Sequence, residues 1–275
     1  MKRLTNALVI GCVLTVLLTN TASAEDMGEI ACGETASGEI AAPGEEDTWT
    51  FSASDGDRIL LSVIATSGAL YPYVVVYAPD GSQEAADYYH IDQEVSQTGT
   101  YTVVICDGDT GSYDVFRDDT GGYKISFANL DGCSWPTISC GETLSGTVET
   151  SDTEVWQFSA SRGDHILLSA IATSGGLYPY LVLYAPDGSQ ETAAYYHINQ
   201  QVSQTGTYTV AIYDGDTGSY DIPLDDAGAY RISFANLDGC SWPTISCGET
   251  LSGTVETSDT EVWQFSASAG DRILL

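Results

Sequence analysis

Two acidic loops hold the residues whose types and spacing best suit a chemical task. Their carboxylates are Asp107, Asp109, Asp114, Asp214, Asp216 and Asp221. Acidic side chains two positions apart, separated by glycine, suit the oxygen ligation that Ca²⁺ prefers. The loops lack the closing glutamate of an EF-hand loop, and a solvated turn between two strands explains them equally well. Ca²⁺ is the one cofactor that the sequence suggests.

A set of tyrosines forms a second candidate surface. Its members are Tyr71, Tyr73, Tyr89, Tyr178, Tyr180 and Tyr196. If these rings form an exposed strip, they can stack on sugars or on an extended chain, so a polysaccharide or a matrix protein is the expected ligand. Packing inside the fold accounts for the same tyrosines.

The histidines give no catalytic constellation. His90 and His197 occupy equivalent positions of a repeat, whereas His165 corresponds to Arg58 and Arg272 in the other copies. A nucleophile needs a base and an orienting acid, and the sequence contains neither a nucleophile elbow nor zinc-ligand spacing. With 39 acidic residues, any pair of carboxylates is uninformative about glycoside hydrolysis. We therefore expect a protein that is not an enzyme.

The chain repeats itself. The segment Ile30-Ala31-Cys32-Gly33-Glu34-Thr35 returns at 138–143 and 245–250. A period of about 107 residues is domain-sized, so each copy can hold its own core. We predict a signal peptide at 1–24, β-sandwich repeats at 30–137 and 138–244, and the truncated start of a third repeat at 245–275. The sequence is then expected to be a fragment of a longer array.

Each repeat is predicted to be all-β. In the second copy the predicted strands are 146–148, 155–160, 166–173, 179–185, 196–202, 207–213 and 229–237. About seven short strands separated by glycine-rich turns, with no amphipathic helix, indicate a two-sheet sandwich. Gly99-Thr100-Tyr101 and Gly206-Thr207-Tyr208 are typical of a tyrosine corner, whose hydroxyl bonds back to the chain.

The motifs of each repeat follow a fixed order. In the second copy they are Gly146-Thr147-Val148, Glu154-Val155-Trp156-Gln157-Phe158, Gly163-Asp164, Tyr184 to Gly188 and Gly206-Thr207-Tyr208. This order resembles that of the bacterial pre-peptidase C-terminal (PPC) domain, and the likeness covers almost the whole repeat. The resemblance implies tandem jelly-roll-like β-sandwich domains of the kind attached to secreted peptidases and surface proteins. No peptidase domain is present in these residues.

Two disulfide pairings compete. In one, each repeat links its own ends as Cys32–Cys133 and Cys140–Cys240. In the other, the pairs are Cys133–Cys140, Cys240–Cys247 and Cys32–Cys106. We favour the first, because pairing of the opening and closing strands would bring the two ends of a repeat together. Cys106 aligns with Tyr213, so the common fold does not require it.

Composition excludes several classes of partner. The chain has 8 basic residues and a formal net charge of −31, whereas nucleic acid and anionic lipid need clustered Lys and Arg. Residues 1–24 have the basic start, apolar run and Ala22-Ser23-Ala24 cleavage pattern of a secretory signal peptide. We expect a secreted or cell-surface protein without a membrane span. Its partners should be cations, neutral polymers, basic surfaces and neighbouring repeats of the same chain.

Two functions are compatible with these features. The favoured one is a non-catalytic, secreted or cell-surface array of PPC-like modules that acts as a stalk, an adhesive segment or a ligand-binding spacer. The alternative is the targeting or substrate-binding region of a secreted peptidase or other hydrolase whose catalytic domain lies beyond residue 275. A third explanation concerns only the charge: lysine-poor acidic surfaces repel one another at low salt, which would suit a saline habitat.

Overall fold

The computed structural model describes residues 24–108, 118–215 and 224–274, and every regular element among them is a β-strand. The first nine strands are β1 (Ala24–Glu29), β2 (Glu34–Ile40), β3 (Glu46–Ala53), β4 (Arg58–Ala65), β5 (Pro72–Tyr77), β6 (Gln83–Tyr88), β7 (His90–Glu94), β8 (Gly99–Asp107) and β9 (Gly121–Asn129). The next eight are β10 (Glu142–Val148), β11 (Glu154–Ala160), β12 (His165–Ala172), β13 (Pro179–Tyr184), β14 (Gln190–Tyr195), β15 (His197–Gln201), β16 (Gly206–Asp214) and β17 (Gly228–Asn236). Within these ranges, no helix is long and apolar enough to cross a bilayer.

Strands β1–β9 form the first sandwich. Its two sheets have the orders β1-β3-β8-β5-β6 and β2-β9-β4-β7, and only the β1–β3 pair is parallel. Side chains alternate along β3, with Trp49 and Phe51 buried between the sheets. The Phe51 ring stacks on Tyr101 and Phe127, at centroid distances of 5.2 and 4.5 Å. Tyr101 is the cross-strand neighbour of Phe51 in the same sheet, whereas Phe127 belongs to the facing sheet, so the Phe51–Phe127 pair helps to fix how the two sheets lie on each other.

Strands β10–β17 form the second sandwich in the same way. Its sheets have the orders β10-β17-β12-β15 and β11-β16-β13-β14, which repeat those of the first sandwich without the extra strand β1. The all-β sandwich prediction is therefore confirmed. The predicted strand list omitted β14, whose sequence QETAAY lies at a sheet edge. Its small and polar side chains lack the apolar alternation by which strands are recognised.

Both predicted tyrosine corners are present. The Tyr101 hydroxyl donates to the carbonyl of Gln97 at 2.7 Å and accepts from the Gln97 amide at 2.9 Å. Tyr208 makes the same pair of bonds with Gln204, at 3.1 and 2.8 Å. Because each buried hydroxyl is satisfied by the loop before its own strand, the corner closes that end of the sandwich.

Consecutive strands β6 and β7 belong to opposite sheets, although only Tyr89 separates them. Its φ is +63°, in the left-handed region that residues with a side chain rarely adopt. Tyr196, with φ +62°, makes the same crossing between β14 and β15. This sharp turn brings several tyrosine rings to the same end of each sandwich.

The two sandwiches stack on each other. The outer face of β4 and β9 packs against the outer face of β11, β13 and β16. The apolar side chains buried in this junction are Leu60, Ala128, Leu130, Val155, Val182, Tyr184 and Ala211. Residues 245–274 follow the second sandwich without a regular strand, and a single parallel bridge joins Thr244 to Gln264.

Candidate functional site

The first predicted calcium loop begins at a buried aspartate. Asp107 accepts hydrogen bonds from the amide of Tyr71 at 3.0 Å and from the amides of Asp118 and Asp119 at 3.2 and 3.0 Å. Oxygens of the three carboxylates lie within 4.8 Å of one another. Three backbone donors satisfy the Asp107 carboxylate, so it ties the end of β8 to two loops whether or not a cation binds.

The second loop repeats this arrangement. Asp214 accepts from the amides of Tyr178 at 2.7 Å and Asp226 at 3.2 Å, and it clusters with Asp225 and Asp226. Burial raises the pKa of Asp214 to about 6, with smaller contributions from those two neighbouring charges. The other predicted ligands lie outside the described residues: Asp109, Asp114, Asp216 and Asp221. Calcium binding by these loops stays a prediction.

A third acidic cluster was not predicted from the sequence. Carboxylate oxygens of Glu25, Glu45 and Asp47 lie within 4.8 Å of one another. Asp47 is completely buried, and its Oδ1 atom has no hydrogen-bond partner. An unpaired buried carboxylate oxygen is costly. Desolvation raises the pKa of Asp47, and the charges of Glu45 and Glu25 raise it further.

The position of Asp47 is fixed by the core. The Tyr123 hydroxyl donates to Asp47 Oδ2 at 2.6 Å and accepts from Trp49 Nε1 at 3.0 Å. Tyr123 reaches these groups by lying against Gly38, where a Cβ atom would come within 2.2 Å of its hydroxyl oxygen. Glu25 is placed by a different strand, because β1 pairs in parallel with β3 and sets Glu25 opposite Asp47. The cluster thus depends on a strand pairing that sequence patterns did not reveal.

The second sandwich has a different arrangement at the same place. Glu154 corresponds to Asp47, and Tyr230 corresponds to Tyr123. Burial and, to a smaller extent, the charge of Asp152 raise the pKa of Glu154 to about 7. Trp156 Nε1 donates to the Tyr230 hydroxyl at 2.7 Å. Both sandwiches therefore hold an acid of raised pKa at this place, completely buried Asp47 in the first and half-buried Glu154 in the second, but the three-carboxylate cluster occurs in the first.

The predicted aromatic residues do come together. Tyr71 lies 5.0 Å from Tyr88 and 5.1 Å from Tyr89, measured between ring centroids, and Tyr73 lies 4.9 Å from Tyr88. The second sandwich repeats the cluster with Tyr178, Tyr180, Tyr195 and Tyr196. Packing of the rings on one another accounts for these contacts. Recognition of a polysaccharide or a matrix protein stays a prediction.

Polar groups complete the junction between the sandwiches. Arg58 Nε pairs with Asp92 Oδ1 at 2.6 Å, and the hydroxyl of Tyr184 in the second sandwich donates to Asp92 Oδ2 at 2.9 Å. The Arg58 guanidinium also lies 5.4 Å from the centre of the Tyr184 ring. A charged pair of the first sandwich is thereby capped by an aromatic side chain of the second.

His90 also lies at this junction. Its Nδ1 atom is 3.1 Å from Ser62 Oγ, and its ring centroid is 5.5 Å from that of Tyr213. Burial lowers the pKa of His90, and the charges of Asp92 and Asp87 oppose that effect. These contacts give His90 a packing role.

Each sandwich carries one disulfide, next to the linker that follows it. The bonds are Cys32–Cys133 and Cys140–Cys240, the pairing favoured above. The alternative with Cys133–Cys140, Cys240–Cys247 and Cys32–Cys106 is not the one formed: Cys106 is buried and Cys247 exposed, and neither takes part in a disulfide. After each disulfide a tryptophan indole donates to the last strand, Trp135 to the carbonyl of Asn129 and Trp242 to that of Asn236.

The linker after the second sandwich makes the same polar contacts as the linker after the first. Gln157 N donates to Pro136 O at 2.8 Å, and Gln264 N donates to Pro243 O at 2.8 Å. Lys124 pairs with Glu149 across the first junction at 3.4 Å. Arg231 pairs with Glu256 across the second at 2.7 Å. Thr35 and Thr143 donate to Asp152 and Asp259, respectively, at 3.2 and 3.1 Å.

No known family profile and no curated protein matches the chain. One similar solved structure is the pre-peptidase C-terminal domain of a collagenase from Bacillus anthracis, with 18% identity, a TM-score of 0.28, and coverage of 39% of this chain and 96% of that one. The CUB1-EGF-CUB2 region of human MASP-1/3 is 13% identical, with a TM-score of 0.18 and coverage of 72% and 99%. At these TM-scores the likenesses carry no argument about function.

Proposed function

We propose that this chain is a non-catalytic, secreted or cell-surface spacer built from stacked β-sandwich domains at 30–137 and 138–244. The recurrence of the same polar contacts at two successive junctions carries this proposal. A flexible linker would allow neighbouring sandwiches to adopt many relative orientations. Here each linker is held by a tryptophan, a disulfide and a backbone bridge. Disulfides also suit an exported protein.

The junction supports a fixed orientation between neighbouring sandwiches. Seven buried apolar residues fill it, and Arg58, Asp92 and Tyr184 add a bonded polar group. Connected domains move relative to each other by default unless their interface is large and apolar. A stacked pair of this kind transmits force and holds the two ends of the chain at a fixed separation, which is the task of a stalk. The alternative, a targeting region of a secreted hydrolase, would use the same stacked modules.

Small-angle X-ray scattering of a chain starting at Glu25 tests the proposal. A fixed stack predicts one scattering profile that matches the described arrangement, with a well-defined maximum dimension. The matched control is Val182→Asp, which places a charge in the junction and should lengthen and broaden the distance distribution. A wild-type profile that requires an ensemble of independently tumbling sandwiches would contradict the spacer.

A second function, Ca²⁺ binding by Glu25, Glu45 and Asp47, rests on a separate observation. The unpaired Oδ1 atom of buried Asp47 lies in a cluster of three carboxylates. Oxygen-only ligation by several carboxylates is what Ca²⁺ prefers. A bound cation would satisfy that oxygen and neutralise the repulsion that raises the pKa of Asp47.

The test measures unfolding of the chelator-treated protein with and without added Ca²⁺. If the site binds Ca²⁺, a free Ca²⁺ concentration 100 times the dissociation constant stabilises the folded state by about 2.7 kcal/mol. Asp47→Asn should abolish this stabilisation. The double variant Asp118→Asn/Asp225→Asn, in the other two acidic clusters, should retain it. Equal stabilisation of wild type and Asp47→Asn would reject the site, and loss in the double variant alone would assign calcium to the acidic loops.

A further inference from the structure

We propose that Ser151 and Ser258 are docking residues, through which the segment that follows a sandwich recognises that sandwich. This inference rests on the stacked arrangement proposed above and names the side chain that specifies it. The partner is a sandwich of the same kind, and the surface it offers is a pair of adjacent backbone carbonyls on the two central strands of one sheet.

The first docking contact joins the sandwiches. Ser151 lies in the turn before β11, and its hydroxyl is 3.0 Å from the carbonyl oxygen of Ser62 and 3.3 Å from that of Lys124. Ser126 Oγ donates in return to the carbonyl of Ser151. Ser151 is completely buried. Its side chain therefore enters a socket formed by β4 and β9 of the other sandwich.

The second contact repeats the first. Ser258 Oγ lies 2.9 Å from the carbonyl oxygen of Ser169 and 2.8 Å from that of Arg231. These two residues, on β12 and β17, correspond to Ser62 and Lys124. In each sandwich two serines face each other across the central strands beside the socket, Ser62 with Ser126 and Ser169 with Ser233. The socket is thus built by the fold and is filled each time by the same residue type.

Both serines have a strained backbone conformation. Ser151 has φ +69° and Ser258 has φ +66°, in the region where glycine is relaxed and other residues are strained. In a turn that makes no contact through this side chain, glycine would avoid the backbone strain. The hydroxyl is what glycine lacks, and it makes the bonds that cross the junction.

The first sandwich provides the internal comparison. Gly44, with φ +80°, takes the corresponding place in its turn. Glu45 Oε2 accepts from the amides of Ala41 and Ala42 at 2.7 and 2.9 Å, so this turn satisfies its own backbone. It presents no hydroxyl to a neighbour. Gly44 and Ser151 hold the same position, but only the turn with Ser151 makes side-chain hydrogen bonds to a neighbouring sandwich at that position.

The experiment is hydroxyl-radical footprinting of the full chain, read at two tyrosines. Tyr184 lies in the junction and becomes accessible when the sandwiches separate, whereas Tyr208 lies inside the second sandwich and reports unfolding. Ser151→Gly, which copies Gly44, and Ser151→Ala should each speed oxidation of Tyr184 about fivefold, the effect of losing one hydrogen bond. Neither should change oxidation of Tyr208. Ser258→Ala is the matched control and should leave Tyr184 protected.

Unchanged Tyr184 oxidation in both Ser151 variants, with wild type protected, would overturn the docking role and leave the spacer intact. An increase in Ser151→Gly but not in Ser151→Ala would also overturn it, because the backbone and not the hydroxyl would then control docking. Fast oxidation of Tyr184 in the wild type would instead reject the stacked spacer. If a variant also exposes Tyr208, urea titration of the two tyrosines separates junction opening from unfolding, and simultaneous exposure at every urea concentration contradicts the proposal.

Discussion

Strands β5 and β13 have almost the same sequence, PYVVVY and PYLVLY, but different surroundings. In β5 the outward residues Val75 and Tyr77 are partly exposed, as expected for a sheet with one face in water. In β13 the equivalent Val182 and Tyr184 are 4% and 2% exposed, because the first sandwich covers them. Nearly the same strand sequence therefore serves as an outer surface in one sandwich and as an interface in the next.

One added charge should affect the covered face of β13 far more than the uncovered face of β5. Val182→Asp buries an unpaired carboxylate against Leu60 and Leu130, and should cost about 4 kcal/mol of the free energy of unfolding or separate the sandwiches. Val75→Asp, the same change on the uncovered face, should cost about 1 kcal/mol or less. Urea unfolding of both variants measures the difference. Equal losses would mean that the two faces have the same environment.

A smaller effect tests the polar part of the junction. Tyr184→Phe removes the hydrogen bond to Asp92 while keeping the ring over Arg58, so it should cost about 1.5 kcal/mol. Tyr77→Phe, its counterpart in β5, makes the same chemical change without that partner and should be close to neutral. Thermal unfolding of the pair at one pH is the measurement. A neutral Tyr184→Phe would show that Asp92 needs no partner from the second sandwich.

A third and weaker effect is expected at Glu154, the half-buried acid at the place equivalent to that of Asp47. The pKa of Glu154 is raised to about 7 from an ordinary value of 4.5. Between these values the folded protein keeps a proton that the unfolded chain has lost, so stability falls as the pH rises from 4.5 to 7. Glu154→Gln should therefore stabilise the protein above pH 7 by about 1 kcal/mol, a figure reduced for solvent screening. Below pH 4 it should have no effect.

Asp47, the equivalent acid of the first sandwich, should differ from Glu154 in its response to Ca²⁺. Asp47→Asn should also stabilise the cation-free protein at neutral pH, since its pKa is raised by burial and by two neighbouring carboxylates. Added Ca²⁺ should reverse the order of Asp47→Asn and wild type, but should leave the order of Glu154→Gln and wild type unchanged. Stability curves against pH, with and without Ca²⁺, decide this. A calcium response of Glu154→Gln that differs from wild type would contradict the difference between the sites.

Much of the fold could be predicted because its signals are local. Alternation in strands such as β16, the turns between them and the repeated Cys-Gly-Glu-Thr segment are visible within a few residues. The edge strand β14 has small and polar side chains and gave no signal. Strand β1 was missed because it precedes the repeat and because its parallel partner β3 lies beyond an intervening strand.

The sites were harder to predict because they join distant residues. The acidic loops were visible as sequence motifs, but the burial of Asp107 and its three backbone donors were not. The cluster at Asp47 needs Glu25 from β1, and the junction needs Tyr184 to meet Asp92 across two sandwiches. One signal was available: the turns 149–153 and 256–260 have the identical sequence Glu-Thr-Ser-Asp-Thr, whereas the first repeat differs there.

The most direct test of the stacked arrangement is hydroxyl-radical footprinting of the unmodified chain, comparing Tyr77 with Tyr184. The two tyrosines hold equivalent positions, so their intrinsic reactivities cancel and only coverage by the neighbouring sandwich differs. The stacked structure predicts that Tyr77 is oxidised readily, and that Tyr184 is protected to the level of the core residue Tyr208. Equal oxidation rates for Tyr77 and Tyr184 would contradict it.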